Sequence, residues 1–99
     1  MSTAVMREVE TVTARELAEK MKTEQLELID VRTPAEYREV HASPARNVPL
    51  ETFDSRKVMA NRQFKQNGKL YVICRSGNRS MQACRKLRDA GYENIVNVE

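Results

Sequence analysis

Residues 70–87, LYVICRSGNRSMQACRKL, fall into three pieces. Leu70-Tyr-Val-Ile73 is a short unbroken apolar run and reads as a buried strand ending near Cys74. Ser80 to Ala90 puts Ala83, Leu87 and Ala90 on one helical face, with Gly91 as the stop. Between them lie Cys74 and the loop Arg75, Ser76, Gly77, Asn78, Arg79. A strand passing through a short glycine-bearing loop into a helix is half of a βαβ unit, so this stretch decides the fold class.

The remaining chain continues the alternation. Val9 to Val12 alternates apolar and polar residues and suits a short strand. Thr13-Ala-Arg-Glu16 is a capping box, followed by a helical stripe of Leu17, Ala18 and Met21. Leu26 to Val31 is apolar enough for a buried parallel strand. A second capping box, Thr33-Pro-Ala-Glu36, follows at once, with Pro34 at the favoured first helical position. Ser43-Pro44 keeps that helix short, and Asn47 to Leu50 makes a brief strand at most. Val58, Met59 and Phe64 suggest a helix between Asp54 and Gln66, closed by Asn67-Gly68. Ile95 to Val98 is a last strand. The pattern implies an α/β fold with a small parallel sheet of about five strands and helices on both faces. In such sheets ligands bind beyond the carboxyl ends of the strands. Cys74 stands at one such end, and Asp30-Val-Arg32 stands at another.

Ninety-nine residues make one small domain. The composition, 40% hydrophobic and 31% charged, is too apolar for a disordered chain. Seventeen basic and fourteen acidic residues are interleaved, giving a net charge of +3 with no block of like charge, so nucleic acid is not an expected partner. Apolar runs are too short to span a bilayer, and the N-terminus carries no secretory pattern, so no membrane contact is expected. Cys74, Cys84 and the lone His41 are too few for a disulfide scaffold or a zinc site, so no metal is expected and a reducing, cytoplasmic setting fits.

The loop after Cys74 has the parts to activate a thiol. A free thiol of pKa about 8.5 is only a few per cent thiolate at neutral pH. Lowering that pKa by about two units takes roughly 2.7 kcal/mol of preference for the anion. A helix N-terminus supplies about 0.3–1 kcal/mol, up to about 2 where partly buried. Directed N–H groups from a glycine-bearing nest, or an arginine, must supply the rest. Cys74 is therefore a candidate nucleophile that needs no histidine base. Cys84, within the helix beside Ala83 and Leu87, is assigned to packing.

Taken together, LIDVRTPAEYREVHASPARNVPL, CRSGNRS and LRDAGYENIVNVE resemble, in order and spacing, the rhodanese (thiosulfate sulfurtransferase) homology domain of the single-domain type. The resemblance covers nearly the whole chain. It implies a sulfurtransferase: Cys74 takes a sulfane sulfur from thiosulfate or a persulfide and passes it, as a Cys74 persulfide, to cyanide or a thiol. No cofactor beyond that covalent intermediate is implied. Loop N–H groups from Arg75 to Ser80 would hold the persulfide, so Arg75, Ser76, Gly77, Asn78, Arg79 and Ser80 are the expected substrate-binding residues. Arg75 and Arg79 match basic positions that would attract a small anionic donor. Asp30 and Arg32 match positions near the pocket floor and are expected to anchor loops, and His41 to stabilise a turn. The chain departs from the family at Val40-His41-Ala42-Ser43-Pro44-Ala45, where the histidine is usually preceded by glycine and followed by an apolar residue and Pro-Gly.

The family also usually continues past the last strand with a Gly-Gly turn and another helix, whereas this sequence stops at Glu99. Residues 1–99 are thus expected to be one domain. It is either a piece of a longer protein or a fold that lacks a covering helix and exposes apolar surface there. Two rival functions stay open. One is a non-catalytic or sulfur-relay module acting with a sulfur-carrier protein or a fused domain. The other is a cysteine-based phosphatase or arsenate reductase, whose loop reads Cys-x5-Arg. Cys74 to Arg79 is one residue shorter, which argues against a cradle sized for tetrahedral phosphate.

Overall fold

A computed structural model describes residues 9–62 and 68–99 of the chain. Five parallel strands, β1 (Glu10–Val12), β2 (Glu27–Asp30), β3 (Arg46–Asn47), β4 (Leu70–Ile73) and β5 (Ile95–Val98), form one sheet in the order β1-β5-β4-β2-β3. Four α-helices and one 3-10 turn complete the described architecture: α1 (Ala14–Met21), α2 (Pro34–Glu39), the turn Leu50–Thr52, α3 (Ser55–Ala60) and α4 (Asn78–Asp89). None of the described helices is long and apolar enough to cross a membrane.

Alternation along the strands splits the core into two layers. Ile29, Val31, Leu70, Val72 and Ile95 face Val58 of α3 and Ala83, Cys84 and Leu87 of α4. Leu28, Tyr71, Val96, Val98 and Val12 face Leu17 of α1, with Tyr37 of α2 packed against the same cluster. The fully buried Leu28, Ile29, Leu70 and Leu87 each contribute about 1.5–3 kcal/mol by leaving water. Strand β5 is buried along its whole length between β4 and β1. The expected α/β sheet with helices on both faces is what the chain adopts.

Local signals explain most boundaries. Both capping boxes form: the Thr13 hydroxyl accepts from Glu16 N–H and the Glu16 carboxylate accepts from Thr13 N–H, and Thr33 and Glu36 repeat the exchange. Three elements differ from expectation. The brief strand sought at Asn47 to Leu50 runs instead over Arg46–Asn47, because Pro49 has no N–H for the ladder, and Leu50–Thr52 forms a 3-10 turn. The helix sought between Asp54 and Gln66 ends at Ala60, because Asn61 leaves helical geometry and turns its side-chain amide back onto Lys57 O at 2.9 Å. Phe64, Gln66 and Asn67 lie outside the described residues. Helix α4 begins at Asn78, two residues before Ser80, because Gly77 adopts a left-handed conformation (φ 88°) and acts as its N-cap.

The sheet also holds a buried ion pair. Arg62 Nε donates to Glu27 Oε1 at 2.5 Å and Arg62 Nη2 donates to Gly68 O at 3.1 Å, while Arg46 Nη1 stands 3.5 Å from Glu27 Oε2. This pair sits at the amino ends of β2 and β4, far along the strands from Cys74. A buried carboxylate in an apolar strand is tolerated because its charge is matched.

Candidate active site

Helix α2, which follows β2, packs on one face of the sheet, and α4, which follows the neighbouring β4, packs on the other. The chain therefore leaves two adjacent strands in opposite directions. That opens a crevice at their carboxyl ends, the position where open α/β sheets bind ligands. Cys74, Asp30, Arg32, Glu36 and Arg79 all gather there.

Cys74 Sγ takes the place that a capping side chain holds at other helices. The first turn of α4 has N–H groups without intrahelical partners, and Gly77 has no side chain to serve them. The sulfur accepts Gly77 N–H at 3.1 Å and Ser80 N–H at 3.3 Å, and the Ser76 N–H acts in the same direction. Burial alone would push the Cys74 thiol up. The Ser80 hydroxyl and the amides of Ser80, Ser76 and Gly77 outweigh that and hold it below the ordinary thiol value. The early start of α4 matters here, since it makes Ser80 the third helical residue and turns its N–H toward the sulfur.

Behind the sulfur runs a short polar chain. The Cys74 thiol donates to Ser80 Oγ at 3.4 Å, and the Ser80 hydroxyl donates to Asn97 Oδ1 at 2.5 Å. Asn97 is buried in β5 and shares a strand face with Ile95, which packs toward α4. Gly77 is fixed from the same direction: a Cβ there would stand 3.3 Å from Glu99 Cβ and 3.4 Å from Glu99 Cα.

Charges line the other wall. The buried Asp30 carboxylate accepts Arg32 N–H at 3.0 Å and the Arg32 guanidinium at 2.8–3.1 Å, and Arg32 Nη2 reaches Val40 O at 2.5 Å. Asp30 O accepts from Asn47 Nδ2 at 2.9 Å and from Val48 N–H at 2.9 Å. Asp30 and Arg32 thus tie the end of β2 to the end of α2 and to the chain after β3. His41 Nδ1 lies 2.7 Å from Tyr37 O, and its ring stacks on Tyr37 with centroids 3.7 Å apart, so it is engaged at the turn that ends α2.

Among the expected binding residues, Gly77 and Ser80 touch the sulfur directly, while the Arg75, Ser76 and Asn78 side chains are exposed. Arg79 differs from expectation. Its guanidinium does not stand free for a donor: Nη1 donates to Glu36 Oε1 at 2.8 Å and Nη2 to Glu36 Oε2 at 3.1 Å. Arg79 and then Thr33 hold the Glu36 carboxyl well below the carboxylate range, at about 2. The Glu36 hydrogen bond in turn raises Arg79, with smaller contributions from the Glu36, Cys74 and Asp30 charges. Sequence reading found neither Glu36 as a partner of the loop nor Asn97. The only signal for Asn97 was a lone amide inside an apolar strand; for Glu36 it was masked by the residue's evident use as a cap.

The chain is thus a parallel α/β sheet with an amide-cradled thiol at a strand-to-helix turn. The model of the rhodanese-like domain matches residues 13–99, and the chain belongs to that family. It is 35% identical over 75 residues to YrkF of Bacillus subtilis, by name a proposed sulfur carrier protein, covering 76% of this chain and 38% of that one. It is 37% identical over 86 residues to the adenylyltransferase and sulfurtransferase uba4 of Ogataea parapolymorpha, covering 81% of this chain and 21% of that one. The chain thus spans less than half the length of either relative. The crystal structure of SSP1007 from Staphylococcus saprophyticus superposes with a TM-score of 0.77 at 32% identity, over 92% of this chain and 87% of that one.

Proposed function

We propose that this domain is a sulfurtransferase in which Cys74 carries sulfane sulfur as a persulfide. The observation that carries the reading is the Cys74 sulfur receiving two backbone N–H groups at 3.1 and 3.3 Å in the crevice between β2 and β4. Amide donors favour the thiolate, which is the nucleophile. The thiolate attacks the outer sulfur of the donor, and the donor's S–S bond breaks. From thiosulfate the electron pair leaves with sulfite, and from a persulfide it leaves with the donor thiolate. The product, Cys74–S–S⁻, carries its charge one atom farther out. An acceptor, cyanide or a thiolate, then attacks that outer sulfur and returns the Cys74 thiolate. When the thiol ionises, the Ser80 hydroxyl can turn from Asn97 to the sulfur and add an O–H donor to the backbone amides. Asp30 and Arg32 keep the neighbouring loop in place and take no part in bond making.

Mass spectrometry tests this under non-reducing conditions. After thiosulfate treatment the chain gains the mass of one sulfur atom on Cys74, and Cys74→Ala gains none. A wild-type chain that never gains sulfur from thiosulfate or from a persulfide contradicts the proposal. Release of phosphate from an aryl phosphate, without thiocyanate formation from thiosulfate and cyanide, would favour the phosphatase alternative instead.

The names of the relatives favour a second use of the same chemistry. One is described as a sulfur carrier and the other joins an adenylyltransferase to a sulfurtransferase. In a relay of that kind the acceptor is a thiol of a carrier protein rather than cyanide. Competition between a carrier protein and cyanide for labelled Cys74 persulfide separates the two uses.

A further inference from the structure

Glu36 has two tasks that the sequence does not connect. Its Oε1 accepts Thr33 N–H at 2.9 Å and the Thr33 hydroxyl at 3.1 Å, which caps α2. The same carboxylate grips the Arg79 guanidinium at two points, across 43 residues of sequence and from the opposite face of the sheet. Arg79 is the α4 arginine whose charge acts on Cys74. The charges beside it cancel in pairs, Asp30 with Arg32 and Glu36 with Arg79. Arg75, the other loop cation, is exposed to solvent, where its field is screened. A dianion entering this crevice therefore meets neutral pairs, although two arginines flank the cysteine in sequence.

We infer that Glu36 is a positioning residue that sets donor specificity. By holding Arg79 in a two-point pair between α2 and α4, it withholds that charge from the donor, so Cys74 accepts sulfur from persulfides of low charge in preference to the thiosulfate dianion. The inference rests on the sulfurtransferase reading of Cys74 and narrows its substrate class. The transfer with the preferred donor balances without an added oxidant: the Cys74 thiolate attacks the outer sulfur of R–S–SH, the donor S–S bond breaks, and R–S⁻ leaves with the electron pair.

Glu36→Gln separates the two tasks, because glutamine can still accept Thr33 N–H in a capping box but no longer neutralises Arg79. The experiment compares rates of Cys74 persulfide formation, followed by intact mass, from thiosulfate and from an alkyl hydropersulfide without charged groups. A unit charge uncovered several ångströms from a dianion is worth about a tenfold change even in water-like surroundings, so the ratio of thiosulfate to hydropersulfide rates should rise by about that factor. The rise should shrink with added salt and vanish in Glu36→Gln/Arg79→Gln, which shows that it acts through Arg79. An unchanged ratio in Glu36→Gln, or a rise that persists without Arg79, overturns the inference while leaving the Cys74 chemistry standing. In the wild-type chain, thiosulfate loading should depend only weakly on salt; a steep dependence would mean that Arg79 already serves the donor. Failure of the wild type to load from either donor would instead remove the sulfurtransferase reading itself.

Discussion

Cys74 and Cys84 stand ten residues apart and both are buried against the same apolar layer of the sheet. Their thiols are nevertheless pushed in opposite directions. Cys84 has lost solvent and gained nothing in return, so burial, with the Cys74 charge adding to it, pushes its thiol up to about 12. Cys74 also pays a desolvation penalty, yet the Ser80 hydroxyl and the amides of Ser80, Ser76 and Gly77 beside its sulfur reverse the outcome. The difference lies in the helix. Cys84 is deep in α4, where every N–H is used within the ladder, whereas Cys74 faces the first turn, where N–H groups have no other partner. Burial makes a thiol inert only when no donors accompany it into the interior.

Exchanging the two thiols for alanine gives the largest contrast. Cys74→Ala should abolish sulfur loading and, by leaving the Gly77 and Ser80 N–H groups without their acceptor, cost about 0.5–2 kcal/mol, the scale of a lost helix cap, whereas Cys84→Ala should keep most of the loading. The latter should cost about 1 kcal/mol in chemical denaturation, the scale of deleting one buried heavy atom. Near-total loss of transfer in Cys84→Ala would mean that the second thiol relays sulfur.

Gly77→Ala should come next. Its left-handed backbone costs a non-glycine residue about 1–2 kcal/mol, and the new Cβ would press on Glu99. The amide that meets the sulfur would shift, so loss of stability should be accompanied by a rise in the Cys74 thiol pKa. A destabilised variant with an unchanged thiol would show that Gly77 shapes the turn alone.

Ser80→Ala keeps the amide and removes the hydroxyl, which separates the two kinds of donor. The buried Asn97 oxygen loses its partner, at a cost of about 1–3 kcal/mol. If the backbone amides dominate, the thiol should stay below its ordinary value, though less so than in the wild type. A return to the ordinary value would assign the effect to the hydroxyl.

The last effect shows only at alkaline pH and leaves the neutral-pH protein untouched. A thiol whose folded value is raised contributes stability below its unfolded value and loses that contribution as pH rises toward the folded one. For Cys84 the window runs from about 9 to about 12. Within it the wild type should lose up to about 1.4 kcal/mol per pH unit relative to Cys84→Ala. Parallel stability curves for the two proteins would mean that Cys84 is not held neutral.

Much of this was legible in the sequence because its causes are local. Thr13 with Glu16, Thr33 with Glu36, the run Leu70 to Ile73 and Gly91 after α4 act within a few residues, and the elements they mark are all present. Helix α4 starts two residues ahead of its sequence signal because a glycine caps through its backbone conformation, which leaves no side-chain signature. The site wall was harder to see. Arg79 meets Glu36, Ser80 meets Asn97 and Arg62 meets Glu27 across 43, 17 and 35 residues. No spacing rule connects them; only the closed sheet does. That is why two arginines in a loop suggested an open anion site, while the folded chain holds one of them in an ion pair.

The most direct measurement is the pH dependence of iodoacetamide alkylation in the folded chain, with peptide mapping to separate Cys74 from Cys84. Cys74 should titrate below the ordinary thiol value, while Cys84 stays unlabelled until the protein unfolds. Alkylation of Cys74 only at or above that ordinary value would show that the amides do not stabilise its anion, and the account of the site would be wrong.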